Sequence, residues 1–179
     1  NIYPLIVLLV CGLAYSIVFD ADFVFDDSIN ILRNPRVRHV LPDGAGEWFG
    51  QRGLVQASYA INYAVSGLNP ADYHATNLCF HILASLLLYG VIRRTLLLEQ
   101  RPDWLRQNAA GIAVTASALW AVHPLTTATV TYLAQRSELM MGIFFLLALY
   151  SLIRGVPSVR RRAWYLLAIA SCAMGSACK

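Results

Sequence analysis

Charge is what this chain has least of. Only 13% of its 179 residues are Asp, Glu, Lys or Arg, while 58% are hydrophobic. An ordinary soluble domain carries about 25% charged and about 45–50% apolar residues. So few polar side chains do not cover a surface that faces water, and a bilayer removes that need because lipid-facing side chains can be apolar. The motifs of soluble enzymes are missing too. The sequence has no GxGxxG, no P-loop, no HExxH, no CxxC and no GxSxG, which excludes the corresponding nucleotide, zinc and serine chemistries. The net charge of +4 is modest, and no basic patch is interleaved with aromatics, so nucleic acid is not an expected partner. Cysteine is scarce. The four (Cys11, Cys79, Cys172 and Cys178) all lie in apolar runs. They read as small membrane-embedded residues, not as a disulfide framework or a metal site.

What is abundant is long apolar runs. A spanning helix needs about 20 mainly apolar residues. Five stretches qualify as candidates: 1–19, 75–92, 108–122, 139–153 and 163–178. The expected fold class is therefore all-α, a polytopic membrane helical bundle. The first run lacks a basic n-region and a small-x-small cleavage site, so it reads as a retained helix and not as a removed signal. The chain opens without methionine and stops directly after an apolar run, and we expect it to be a fragment of a longer protein.

Arginine placement sets the expected orientation. Arg93, Arg94, Arg101 and Arg106 follow the second run, and Arg154, Arg160, Arg161 and Arg162 follow the fourth. Both loops read as cytoplasmic anchors. The stretch 20–74 carries seven acids (Asp20, Asp22, Asp26, Asp27, Asp43, Glu47, Asp72) against Arg33, Arg36, Arg38 and Arg52. It should face outward, with 123–138 on the same side. Five helices with the N-terminus inside satisfy every loop. The outer side would be the periplasm of a bacterial inner membrane or the lumen of the endoplasmic reticulum. Val55, Tyr59, Asn62, Tyr63 and Val65 recur at helical spacing in the first outer loop, while Pro35, Pro42, Gly44, Gly46 and Gly67 punctuate it. Short amphipathic helices at the membrane surface are expected there. Asp26-Asp27-Ser28 can cap one that begins near Ser28.

The chemically interesting residues gather on this outer side. Asp26 and Asp27 follow the first helix. His74, Asn77 and His81 open the second at offsets that share one helical face. His123, Arg136 and Glu138 flank the third and fourth. Ionisable groups at membrane depth are costly and mark either a function or a paired interior site. The bland readings are caps for the aspartates and structural hydrogen bonds for the histidines. Glu138 opens an apolar run and needs a partner, for which Arg136 or Arg52 is a candidate.

These residues resemble a known family. Phe25-Asp26-Asp27 with Ile29, Asn34 and Val37 is similar to the first outer loop of GT-C fold glycosyltransferases. The likeness is greatest to the transmembrane-and-tetratricopeptide-repeat proteins, which are akin to protein O-mannosyltransferases. Ser58-Tyr59-Ala60-Ile61-Asn62-Tyr63, then Gly67-Leu68-Asn69-Pro70 and Tyr73-His74-x-x-Asn77-x-x-x-His81, agree in order. So do His123-Pro124-Leu125 and the run Val130 to Glu138, and Ser176-Ala177-Cys178-Lys179 resembles the start of a further motif. Two departures stand out. Arg52-Gly53-Leu54 replaces the family's Arg-Pro-Leu. Thr127-Ala128-Thr129-Val130 replaces Thr-Glu-Ala-Val, which removes a carboxylate at Ala128.

The resemblance implies a transferase moving a sugar, with mannose a candidate, from a polyprenyl-phosphate donor to an acceptor hydroxyl at the outer interface. It implies a partial GT-C-like transmembrane domain over 1–179, with further helices and tetratricopeptide repeats beyond. The expected catalytic residues are Asp26 as base, Asp27 and Glu138. Arg52, His74, Asn77, His81, His123 and Arg136 are the expected substrate-side residues. Partners would be the lipid-linked sugar, a protein or glycan acceptor and membrane lipids. No cofactor is required, although an aspartate pair leaves a divalent metal open. The competing class is a non-catalytic membrane protein, either a transporter segment or an assembly scaffold. A transporter places its polar groups at the midplane, whereas here they crowd one interface.

Overall fold

A computed structural model describes residues 2–39, 52–98 and 101–179. Within these, every regular element is helical. Pro42, Asp43, Gly44, Gly46 and Glu47 lie outside the described residues.

The eight α-helices run α1 Tyr3–Ala14, α2 Gly53–Ser66, α3 Pro70–Leu96, α4 Asp103–Gln107, α5 Ala109–Ala121, α6 Pro124–Thr131, α7 Arg136–Gly155 and α8 Arg161–Ser176. Local chemistry sets many of the ends. Pro70 and Pro124 open α3 and α6, where the missing N–H costs nothing. Gly67 ends α2 at φ 66°, a left-handed turn that glycine adopts without a Cβ penalty. Asp72 lies in the first turn of α3, and Arg93 and Arg94 lie in its last, each matching the helix dipole.

Two helical stretches, Pro70–Leu96 and Leu133–Gly155, are long and apolar enough to cross a bilayer. A third crossing is available if α5 and α6, bent by 62° at a short break, act as one. The other two candidate runs are also helical. However, α1 has 12 residues and α8 has 16, both below the ~20 that a crossing needs. The first apolar run stops short because the chain turns into a 3₁₀ segment at Val18–Asp20. α3, in contrast, outruns the stretch 75–92 at both ends, and at its start takes in the fully buried His74.

Two cores organise the bundle. Val7, Cys11, Tyr15, Leu78, Ala113 and Val130 join α1, α3 and the bent pair. Ile31, Val37, Tyr59, Tyr73, Leu133, Met140 and Cys178 join the segment between α1 and α2 to α2, α3, α7 and the chain end. All four cysteines are free. α7 and α8 pack so closely that a Cβ on Gly155 would lie 2.8 Å from the Tyr165 ring.

Candidate functional site

The bend between α5 and α6 creates a physical problem. A broken helix leaves carbonyls without intrahelical partners, and lipid offers none. The polar face of α3 supplies them. His81 Nε2 donates to the Ala121 carbonyl at 2.8 Å, and the Tyr15 hydroxyl donates to the same oxygen at 2.9 Å. Asn77 Nδ2 donates to the Thr129 carbonyl at 3.1 Å, and His74 Nδ1 to the Val130 carbonyl at 3.2 Å. The His81 ring stacks on Trp120 with centroids 5.3 Å apart. His74, Asn77 and His81 do share one face, and all three are fully buried. They hold the bend. His123 is exposed and caps α6, its Nδ1 accepting from Leu125 N–H at 3.2 Å.

Arg136 is 0% exposed and sits in a cage without a carboxylate. Nε donates to Asn77 Oδ1 at 2.6 Å. Nη1 donates to Asn62 Oδ1 at 2.7 Å and Ser58 Oγ at 3.3 Å, and Nη2 to the Tyr73 carbonyl at 3.0 Å. The Tyr59 ring lies 4.4 Å and the Tyr73 ring 5.7 Å from the guanidinium carbon. Ring faces attract a desolvated cation by about 2 kcal/mol or more. Hydrogen bonds to a charged group add about 1.5–3 kcal/mol each. The cage ties α2 and α3 to the first residue of α7. Arg136 is therefore not the partner of Glu138. That partner is Lys179, whose Nζ lies 3.9 Å from Glu138 Oε1. Nor is Arg52 that partner among the described residues. It stands at the start of α2 in a left-handed conformation, φ 64°.

The twin aspartates divide their work. Asp27 is 0% exposed, yet it does not cap the short π-turn Ser28–Leu32 that follows it. Its Oδ1 accepts from Ala134 N–H at 2.7 Å and its Oδ2 from Val24 N–H at 3.1 Å. This latch fastens the segment between α1 and α2 to the turn Leu133–Gln135 just before α7. Burial raises the Asp27 pKa above the usual 3.8, and the two N–H bonds work against that rise. Asp26 is exposed. Its backbone N–H donates to the Tyr132 hydroxyl at 3.3 Å, and the Phe25 and Tyr132 rings meet edge to face at 6.4 Å. Phe25 itself has φ 46° and is 86% exposed. A left-handed aromatic residue is uncommon, and such strain clusters at functional sites. Sequence reading missed Tyr132 as a contact of Asp26, and missed Ser58 and Asn62 as cage walls. The signal for the latter was present, as two polar residues four apart on an otherwise apolar helix.

Beside the latch, Ile29, Asn30, Asn34, Arg52, Gln56 and Lys179 line an open cavity of about 510 Å³, with Arg33 and Arg36 on its wall. Asn34 Nδ2 donates to Gln56 Oε1 at 2.8 Å and braces the two sides. Asn30 on this rim donates its Nδ2 to the backbone carbonyl of Asp26 at 2.9 Å. Glu138 reaches the rim through Lys179. Ala128, where the family carries glutamate, is exposed on α6. Among the described residues, no group of three or more His, Cys, Asp or Glu could hold a metal ion.

The chain matches a Caenorhabditis elegans protein named protein O-mannosyl-transferase F38B6.6 at 30% identity over 81% of this chain and 22% of that protein. It matches human protein O-mannosyl-transferase TMTC3 at 33% over 74% of this chain and 15% of the relative. Mouse protein O-mannosyl-transferase TMTC4 is 28% identical over 98% of this chain and 27% of the relative. The chain thus spans well under two thirds of the length of the relatives it matches. No family model matches, and no solved structure matches.

Proposed function

This chain is related over most of its length to the protein O-mannosyl-transferases of the transmembrane-and-tetratricopeptide-repeat type, and on that premise we propose that it forms part of an enzyme moving mannose from a polyprenyl-phosphate donor to an acceptor hydroxyl on the extracytoplasmic side. The lipid tail stays in the bilayer and the phosphate lies at headgroup depth. The acceptor comes from water. Only an interfacial site serves both, and the outer rim described above is such a place.

The observation that carries the reading is the split between the aspartates. Asp27 is consumed by the fold, and this leaves Asp26 as the exposed carboxylate of the pair, on a residue whose backbone N–H is held by the Tyr132 hydroxyl. Asp26 acts as general base. It takes the proton of the acceptor hydroxyl as that oxygen bonds to the anomeric carbon, while the bond from that carbon to the phosphate oxygen breaks. The polyprenyl phosphate leaves with the electron pair. Arg52 and Lys179, which line the cavity, stabilise the charge that grows on it. Glu138, held by Lys179, faces the acceptor. His74, Asn77, His81 and Arg136 are positioning residues that fix the bend and the start of α7.

The test is mannosyl transfer by the full-length protein in its membrane. Asp26→Asn is expected to lower transfer about 10²–10⁴-fold with thermal stability unchanged. Wild-type-like turnover in that variant would remove Asp26 from the chemistry. A non-catalytic scaffold would show no donor-dependent transfer in either protein.

A further inference from the structure

The opposite end of α3 carries a second site. There Leu83, Leu86 and Leu87 form the apolar walls of a cleft of about 330 Å³, with Arg93 and Arg94 at its mouth and Tyr150 of α7 across from them. The cleft exists because α3 presents Gly90 to that tyrosine. A Cβ at Gly90 would lie 2.9 Å from Tyr150 Cε2. Arg94 is already held in place. Its Nε donates to the Tyr150 hydroxyl at 3.2 Å, and its guanidinium carbon lies 5.4 Å from the Tyr150 ring. No carboxylate reaches Arg93 or Arg94 among the described residues.

Tyr89 borders the same cleft and is 7% exposed. An apolar slot lined by two cations that no carboxylate of the described residues neutralises matches an acyl chain carrying an anionic headgroup. Basic pockets between membrane helices bind such headgroups.

We propose that this cleft binds an anionic phospholipid from the leaflet at that end of α3. Its phosphate is clamped by Arg93 and Arg94, and its acyl chain lies along Leu83, Leu86 and Leu87. The site is separate from the transfer chemistry at the other end of the helix and does not depend on it.

Native mass spectrometry tests this. The full protein is released from bilayers of phosphatidylcholine containing a minor share of phosphatidylglycerol, and the retained lipid is counted. Wild type is expected to keep phosphatidylglycerol in preference to phosphatidylcholine. Arg93→Gln with Arg94→Gln should lower that retention about fivefold for each arginine removed. Leu83→Trp fills the slot and leaves both cations in place. Leu83 is 44% exposed, so this variant keeps the test alive if the arginine variant does not fold, and it too should lose the lipid. Arg160→Gln with Arg162→Gln, at exposed positions in the loop before α8 and its first turn, should retain it. Millimolar inorganic phosphate should leave the bound lipid in place. Equal retention of phosphatidylcholine, loss in the Arg160/Arg162 control, retention in Leu83→Trp, or displacement by inorganic phosphate would each overturn the assignment.

Discussion

Arg136 opens α7 and Arg154 lies at its other end, and both rest on aromatic rings. Arg136 is 4.4 Å from the Tyr59 ring, and Arg154 is 5.5 Å from Trp164. Their surroundings otherwise differ. Arg136 is fully buried, with oxygens of Asn77, Asn62, Ser58 and Tyr73 as acceptors. Arg154 is half-buried, and like Arg94 and Arg161 it pairs with an aromatic ring near the surface. One aromatic residue, through its ring and at Arg94 and Arg161 also its hydroxyl, suffices for a cation that can still reach water or headgroups. Hiding one completely takes neutral oxygens as well. The Arg136 end of α7 is therefore built around a charge, whereas the arginine-rich end is anchored by charges.

The contrast is broken most directly at its buried member. Arg136→Ala strands Asn62, Asn77 and Ser58 and removes what joins α2 and α3 to α7. Each buried acceptor left without its donor is expected to cost about 1–3 kcal/mol, read together as loss of monodisperse protein or a large fall in Tm by fluorescence-detected size exclusion. Asp27→Ala comes next, because it leaves the N–H groups of Ala134 and Val24 without an acceptor. The expected loss is about 1–3 kcal/mol in the same assay.

The pH dependence of Asp27 sharpens the comparison further. Its pKa is raised in the folded protein, so the native state holds that proton more tightly than the unfolded chain does. The contribution to stability is fully present below 3.8, the ordinary value, and is lost as pH rises through the raised folded pKa. Thermal stability of Asp27→Asn measured against pH should lack that fall. A slope equal to wild type would assign the titration to another group. Arg154→Ala has the smallest expected effect, under about 1 kcal/mol. A loss matching that of Arg136→Ala would erase the distinction between the two ends.

Much of the helical content was legible, because apolar runs near bilayer length have few other folds open to them. The ends were not. His74 counted as polar and so fell outside the second run, while Asn77 lay within it, yet the partners of both are carbonyls on α6, about fifty residues away in sequence. The His123-Pro124 pair is visible as a break, but nothing local says that α6 turns back at 62°. The site divides in the same way. Asp26 and Asp27 are adjacent and alike in sequence, and only Ala134 N–H, brought in by the fold, separates a latch from an exposed carboxylate. The partner of Glu138 was misread for the same reason. Lys179 meets it because α8 runs back along α7, which returns the chain end to the start of α7.

By itself the sequence determined that this is an all-helical membrane protein whose polar residues resemble a transferase family in order and spacing. Composition and run length suffice for the first conclusion, since low charge forbids a soluble surface and an apolar run in lipid must satisfy its own backbone. Tertiary structure alone decided which polar residues are spent on the fold. A buried hydrogen bond is made by whichever donor and acceptor packing brings within about 3 Å, and here those partners lie tens of residues apart along the chain.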